Sequence, residues 1–262
     1  MSGDRTGKKV VIKIGTGVLT RAPEGRLHHA IIARITEAIA DLHASGHQCI
    51  VVSSGAVGAG LASFRLERRP EETAMLQACA AAGQASLMHL YETHFSYHRL
   101  KVAQLLLTHE DLLDDSRRTN VSQTLTALLR YPRIVPIINE NDSVAVYELK
   151  VGDNDTLSAF VARLVHADLL VMLTSVPGLR GPHSTSEEDI IREVRSIDEV
   201  MDFAGEDKGA FSVGGMKSKL QAVKECVDAG IETIIASGKD PEQLPQLVGG
   251  EGIGTRFLPT TS

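Results

Sequence analysis

Residues 133–159 read RIVPIINENDSVAVYELKVGDNDTLSA. The opening RIVPIIN is short and rich in Ile and Val, which predicts a strand buried in a core. It ends in Asn139, Glu140, Asn141 and Asp142. A second polar cluster, GDND at 152–155, leads into TLSAFVARLVHA, a segment of helical periodicity. A buried strand, a turn crowded with amides and acids, and a helix make one unit of a wound α/β sheet. In such sheets ligands sit outside the carboxyl ends of the strands.

Working outward, the same unit recurs. KKVVIKIG (8–15), the QCIVV that opens QCIVVSSGAVGAG (48–60), LKVAQLLLT (100–108), DLLVMLTS (168–175) and ETIIAS (232–237) read as core strands, the last of them closing the core. HHAIIARITEAIADLHAS (28–45), LQACAAAGQASLMHLYETHF (76–95), SQTLTALLRY (122–131, stopped by Pro132) and GGMKSKLQAVKECVDAG (214–230) read as helices. The near-continuous apolar strands predict a mostly parallel central sheet with helices on both faces, a three-layer αβα sandwich. One domain is expected over residues 1–262. SVAVYELKVG (143–152) is expected as a small hairpin over the site, and RGPHSTSEED (180–189) as a polar loop.

Bulk properties narrow the function. The net charge is -6 and no long basic block occurs, so nothing points to nucleic acid. No apolar run approaches the roughly 18–20 residues that span a bilayer, and MSGDRTGKK lacks a signal-peptide core. Cys49, Cys79 and Cys226 are distant from one another and read as buried free thiols of a reducing compartment. A cytoplasmic protein is the expectation.

The polar rim carries the chemistry. KIGTGVLT puts Lys13 inside a core strand, where an unpaired charge is costly, and follows it with Gly15 and Gly17. SSGAVGAG makes a second Gly-rich turn, and SVGGMKSK a third with Lys217 and Lys219 at a helix start. None is a P-loop or a dinucleotide fingerprint. Lysines from opposite ends of the chain suit phosphoryl transfer, in which charge spreads over three equatorial oxygens, so Lys13 and Lys219 are expected to flank the transferred group. Asp155 fits either a helix N-cap or a carboxylate orienting both lysines. Asn139, Asn141, Asp142 and Asn154 offer acceptors for an ammonium and donors for a carboxylate, which suits a free amino acid. The histidines show no metal-ligand spacing.

Together VVIKIGTGVLT, VVSSGAVGAG, QLLLT, VPIINENDSVA, VGDNDTLSA and GGMKSKLQA resemble the glutamate 5-kinases of the amino acid kinase family, over about residues 8–257. The resemblance implies transfer of the ATP γ-phosphoryl group to the γ-carboxylate of L-glutamate, with Mg²⁺ bridging the phosphates. It implies catalytic roles for Lys13, Lys219 and Asp155, and a glutamate pocket of Ser54, Gly55, Ala56, Asn139, Asp142 and Asn154. Gly15, Thr16, Thr174, Ser175, Gly214, Gly215 and Met216 would lie along the nucleotide beside Lys13 and Lys219. It also implies a homo-oligomer, feedback inhibition by proline, and a downstream glutamyl phosphate reductase as a possible partner. Many members carry a C-terminal PUA domain, which is not expected here. One departure stands out: the family pattern usually reads Thr-Asp where this chain has Thr174-Ser175, removing a charge beside the nucleotide. The alternatives are a sensor of glutamate or proline built on the same fold, or a sister activity such as acetylglutamate kinase.

Overall fold

A computed structural model describes residues 7–21, 26–144, 154–186, 189–203 and 215–259. Its centre is β1 (Lys9–Ile14), five of whose six residues are buried. Alternation along this strand sends Val10, Ile12 and Ile14 into one apolar core and Val11 into the other. Both faces of the sheet are therefore covered.

β4 (Gln48–Val52) and β7 (Leu169–Thr174) flank β1 in parallel. Beyond β4 lie β6 (Ile134–Glu140) and the edge strand β5 (Lys101–Leu107), both parallel. Pro136 has no N–H to give, and the register between β4 and β6 begins one residue later, at Val51 opposite Ile137. Beyond β7 lies β9 (Glu232–Ser237), again parallel. The eight-stranded order is β5-β6-β4-β1-β7-β9-β10-β8, completed by β10 (Gly254–Phe257), antiparallel to β9, and β8 (Glu193–Val194). A short hairpin of β2 (Thr20–Arg21) and β3 (Arg26–Leu27) stands apart.

Helices form the outer layers. α2 (His29–Ala44), α4 (Thr73–Tyr97) and α9 (Leu244–Gly249) contribute to the first core, and α6 (Asp115–Leu128), α7 (Asn154–Leu164) and α8 (Met216–Val227) to the second. The shorter α1 (Thr16–Leu19), α3 (Ala56–Leu61) and α5 (His109–Leu113) follow β1, β4 and β5 directly. The architecture is the expected αβα sandwich.

Three boundaries differ from expectation. ETIIAS does not close the core, because GTRF pairs beside it, a segment too short and too polar at Arg256 to signal a strand. α6 starts seven residues before SQTLTALLRY, through the polar DSRRTNV, where Asp114 caps the helix by accepting from the Arg117 N–H. It also ends at Leu128, leaving Pro132 in the following turn. The hairpin expected over 143–152 lies from residue 145 onward outside the described residues. No described helix is long and apolar enough to cross a membrane. Cys49, Cys79 and Cys226 are buried free thiols.

Candidate active site

The parallel strands β1, β4, β6, β7 and β9 all end at one rim, which brings Gly15, Ser53, Asn139, Thr174 and Ser237 to the same edge. Lys13 shares the face of Val11, the face on which α7 and α8 pack. Its ammonium therefore points toward the starts of those two helices, and it is only 3% exposed.

There it meets Asp155, which is fully buried in the first turn of α7. Lys13 Nζ lies 2.5 Å from Asp155 Oδ1, and Lys219 Nζ donates to Oδ2 at 3.2 Å. Asp155 thus joins the two lysines from within the first turn of α7. Two cations share one carboxylate, so the cluster carries an excess positive charge in a place shielded from water. The N-terminal ends of α7 and α8 converge here as well, adding their positive dipole ends. Such an assembly attracts an anion.

A second network lies on the β4–β6 side. Asn154 Nδ2 donates to Ser53 O and Ser54 Oγ, each at 2.9 Å, and to Asn139 Oδ1 at 3.1 Å. Asn139 in turn donates through Nδ2 to Gln84 Oε1 at 2.8 Å, and its Oδ1 also accepts from the Glu140 N–H. Ser53 Oγ lies 2.9 Å from the hydroxyl of buried Tyr91. Gln84 Nε2 and Asn154 Oδ1 are buried with no partner among the described residues. A network that leaves a donor and an acceptor open is costly unless something else satisfies them. Gly55 follows Ser54 at φ 92°, a left-handed turn that admits glycine and opens α3 at Ala56. Asp142 is half-buried in the turn after β6.

Of the residues expected to border the nucleotide, the described ones follow β1, end β7 or open α8. Gly15 N donates to Leu173 O, tying the β1 turn to the end of β7. Thr16 and Met216 are half-buried, and Gly215 is the N-cap of α8. Thr174 Oγ1 is committed to its own turn, donating to Val176 O and accepting from the Val176 N–H. Ser175 is exposed beside Gly17. Lys217 is also exposed, away from the cluster that Lys219 joins. Gly214 lies outside the described residues.

Among the residues of these networks that escaped sequence reading are Gln84 and Ser218. Ser218 Oγ donates to Asp155 Oδ2 at 2.9 Å. Nothing in LQACAAAGQ or GGMKSK distinguishes these side chains from ordinary helix-surface residues. Only the contact reveals them.

A three-layer α/β sheet whose loops gather lysines and amides on one rim is an anion-handling α/β protein of the small-molecule kinase type. The chain belongs to the amino acid kinase family, whose model matches residues 8–237. Glutamate 5-kinase from Symbiobacterium thermophilum is 47% identical over 252 residues, covering 95% of each chain. Glutamate 5-kinase from Carboxydothermus hydrogenoformans is 44% identical over 96% of this chain and 68% of its own length. Among solved structures, carbamate kinase from Giardia lamblia bound to AMP-PNP superposes with a TM-score of 0.65 at 17% identity, covering 97% of this chain and 99% of that one. Uridylate kinase from Archaeoglobus fulgidus gives 0.61 at 17% identity, with 95% and 99% covered. These two share the fold.

Proposed function

We infer that the chain phosphorylates the γ-carboxylate of L-glutamate with ATP, giving γ-glutamyl phosphate, the first step of proline biosynthesis. The observation that carries this reading is the buried Lys13–Asp155–Lys219 cluster, one residue along α7 from the Asn154 amide network. The lysine cluster and the amide network are thereby joined at a single helix start. The glutamate 5-kinase relatives, with 42–47% identity over most of the chain, support the same substrate.

In this reading Lys13 and Lys219 draw in the transferring phosphoryl group from two sides and stabilise the charge on its equatorial oxygens. Asp155 keeps the two ammonium groups apart at a fixed spacing. Ser54, Gly55, Ala56, Asn139, Asp142 and Asn154 hold glutamate, and Gly15, Thr16, Thr174, Ser175, Gly214, Gly215 and Met216 border the nucleotide. A carboxylate is already a nucleophile at neutral pH, so the acceptor needs no general base. Mg²⁺ is proposed to arrive chelated by the ATP phosphates, where it neutralises charge. That fits the donor set. Among the described residues no group of three His, Cys, Asp or Glu side chains could hold a metal, and the Asp155 oxygens face lysines and a serine. A cytoplasmic homo-oligomer, feedback inhibition by proline in the glutamate pocket, and hand-over of the reactive acyl phosphate to a reductase complete the proposal.

The test is ATP- and Mg²⁺-dependent acyl-phosphate formation trapped with hydroxylamine, comparing L-glutamate, N-acetylglutamate and aspartate, with and without proline. Hydroxamate from L-glutamate alone is the expected result. Product from N-acetylglutamate instead, or no product from any of the three, refutes it.

A further inference from the structure

We propose that Ser218 is a positioning residue for phosphoryl transfer. Its hydroxyl fixes the orientation of the Asp155 carboxylate so that each oxygen serves a different lysine. The inference rests on the glutamate-kinase reading above.

The geometry assigns one job to each contact. Asp155 Oδ1 faces Lys13 Nζ at 2.5 Å, while Oδ2 receives both Lys219 Nζ at 3.2 Å and Ser218 Oγ at 2.9 Å. The torsion that sets the plane of a carboxylate has broad wells, so contacts to flexible ammonium groups define that plane only loosely. Lysine brings a four-carbon stem and a rotating ammonium. Serine brings a single rotor held close to the backbone, and this backbone is the first turn of α8, next to Lys219 itself. The distance between the ammonium groups is then set by the helix rather than by two mobile chains.

The hydroxyl has a second acceptor within reach, Gly215 O at 3.0 Å. It has only one proton, and a charged carboxylate is the stronger acceptor. Asp155 is fully buried, so bulk water is poorly placed to replace the bond if the hydroxyl is removed. The transferred phosphoryl group meets the lysines chiefly in the transition state, and misplacing them should therefore act on turnover rather than on substrate binding.

The experiment compares wild type, Ser218→Ala and Ser218→Thr in the hydroxamate assay with L-glutamate and ATP. It also measures the melting temperature of each unliganded protein and calorimetric binding of a non-hydrolysable ATP analogue. For Ser218→Ala kcat is expected to fall about 10- to 100-fold, the effect of losing a hydrogen bond to a charged group. Both KM values and the analogue affinity should stay within about threefold, as for an interaction made in the transition state. The melting temperature should hold, and Ser218→Thr should recover most of the turnover. Wild-type kcat in Ser218→Ala overturns the proposal. So does a loss that follows the melting temperature and that threonine fails to restore. If wild type itself makes no hydroxamate from glutamate, the kinase reading falls and this inference falls with it.

Discussion

Lys13 is where a single residue foretold the site. A lysine interrupting VVIKIG needs a buried counter-charge, and the sequence named Asp155 for it while leaving a helix N-cap as the other reading. The start of α7 sets Asp155 against Lys13 and Lys219. Removing the carboxylate leaves the buried Lys13 and the half-buried Lys219 facing each other. Asp155→Ala should therefore lower unfolding free energy by about 3–5 kcal/mol, the usual cost of breaking a buried pair. It should also cut kcat by about 10³-fold or more, given what electrostatic positioning supplies to transfer. Denaturant titration and the hydroxamate assay read the two effects separately. His43 makes a different prediction at this scale. Burial holds its imidazole below the ordinary histidine value, outweighing a hydrogen bond to the Pro132 backbone, and Nε2 has no acceptor among the described residues. Its pKa is lower folded than unfolded, so below about pH 6.5 the unfolded chain takes up a proton that the folded one refuses. Stability should fall as pH drops from there. Melting curves from pH 7 to 5 should show a shallower decline in His43→Leu than in wild type.

At the level of elements, most strands and helices were legible because their apolar periods are strong, and the misses share a cause. β8 and β10 are short and owe their existence to a neighbour's edge, not to their own pattern. The packing of α3 on α4 was equally hidden. The small residues of LQACAAAGQ make their closest approach to another helix. A Cβ added at Gly83 would lie 1.9 Å from the Ala56 carbonyl oxygen and 2.4 Å from Gly60 N. Ala56 directly follows the Ser54-Gly55 turn of the proposed glutamate pocket. Gly83→Ala should force α3 away from α4, costing about 1–3 kcal/mol as overpacking does. It should raise KM for glutamate more than KM for ATP, which steady-state kinetics would reveal. Equal shifts in both would mean that the crossing does not support the pocket.

Across the whole molecule, the strand order sets apart the residues proposed for glutamate and those proposed for the nucleotide. β1 carries Lys13 down the middle. β4 and β6 on one side end in Ser53, Ser54 and Asn139, while β7 on the other ends in Thr174 and Ser175. Variants should sort accordingly. Asn139→Ala breaks the bridge between Gln84 and Asn154 and should raise KM for glutamate about tenfold, leaving KM for ATP nearly unchanged. Ser175→Asp supplies the acid that the resemblance leads one to expect here and should lower KM for ATP without changing KM for glutamate. A glutamate effect in the Ser175 variant would contradict the division of the rim.

By itself the sequence determined the layers, the parallel core and the rim that holds the chemistry, because those follow from hydrophobic period and from turns that need glycine or polar caps. It also marked Lys13, whose charge in an apolar strand demands an answer. The tertiary structure alone decided the partners that the sequence did not name, such as Ser218 and Gln84. Asp155 and Ser218 are 63 residues apart, and Asn139 and Gln84 are 55 apart. Contacts of that span depend on how helices dock on a twisted sheet, and local sequence pattern carries no record of the docking.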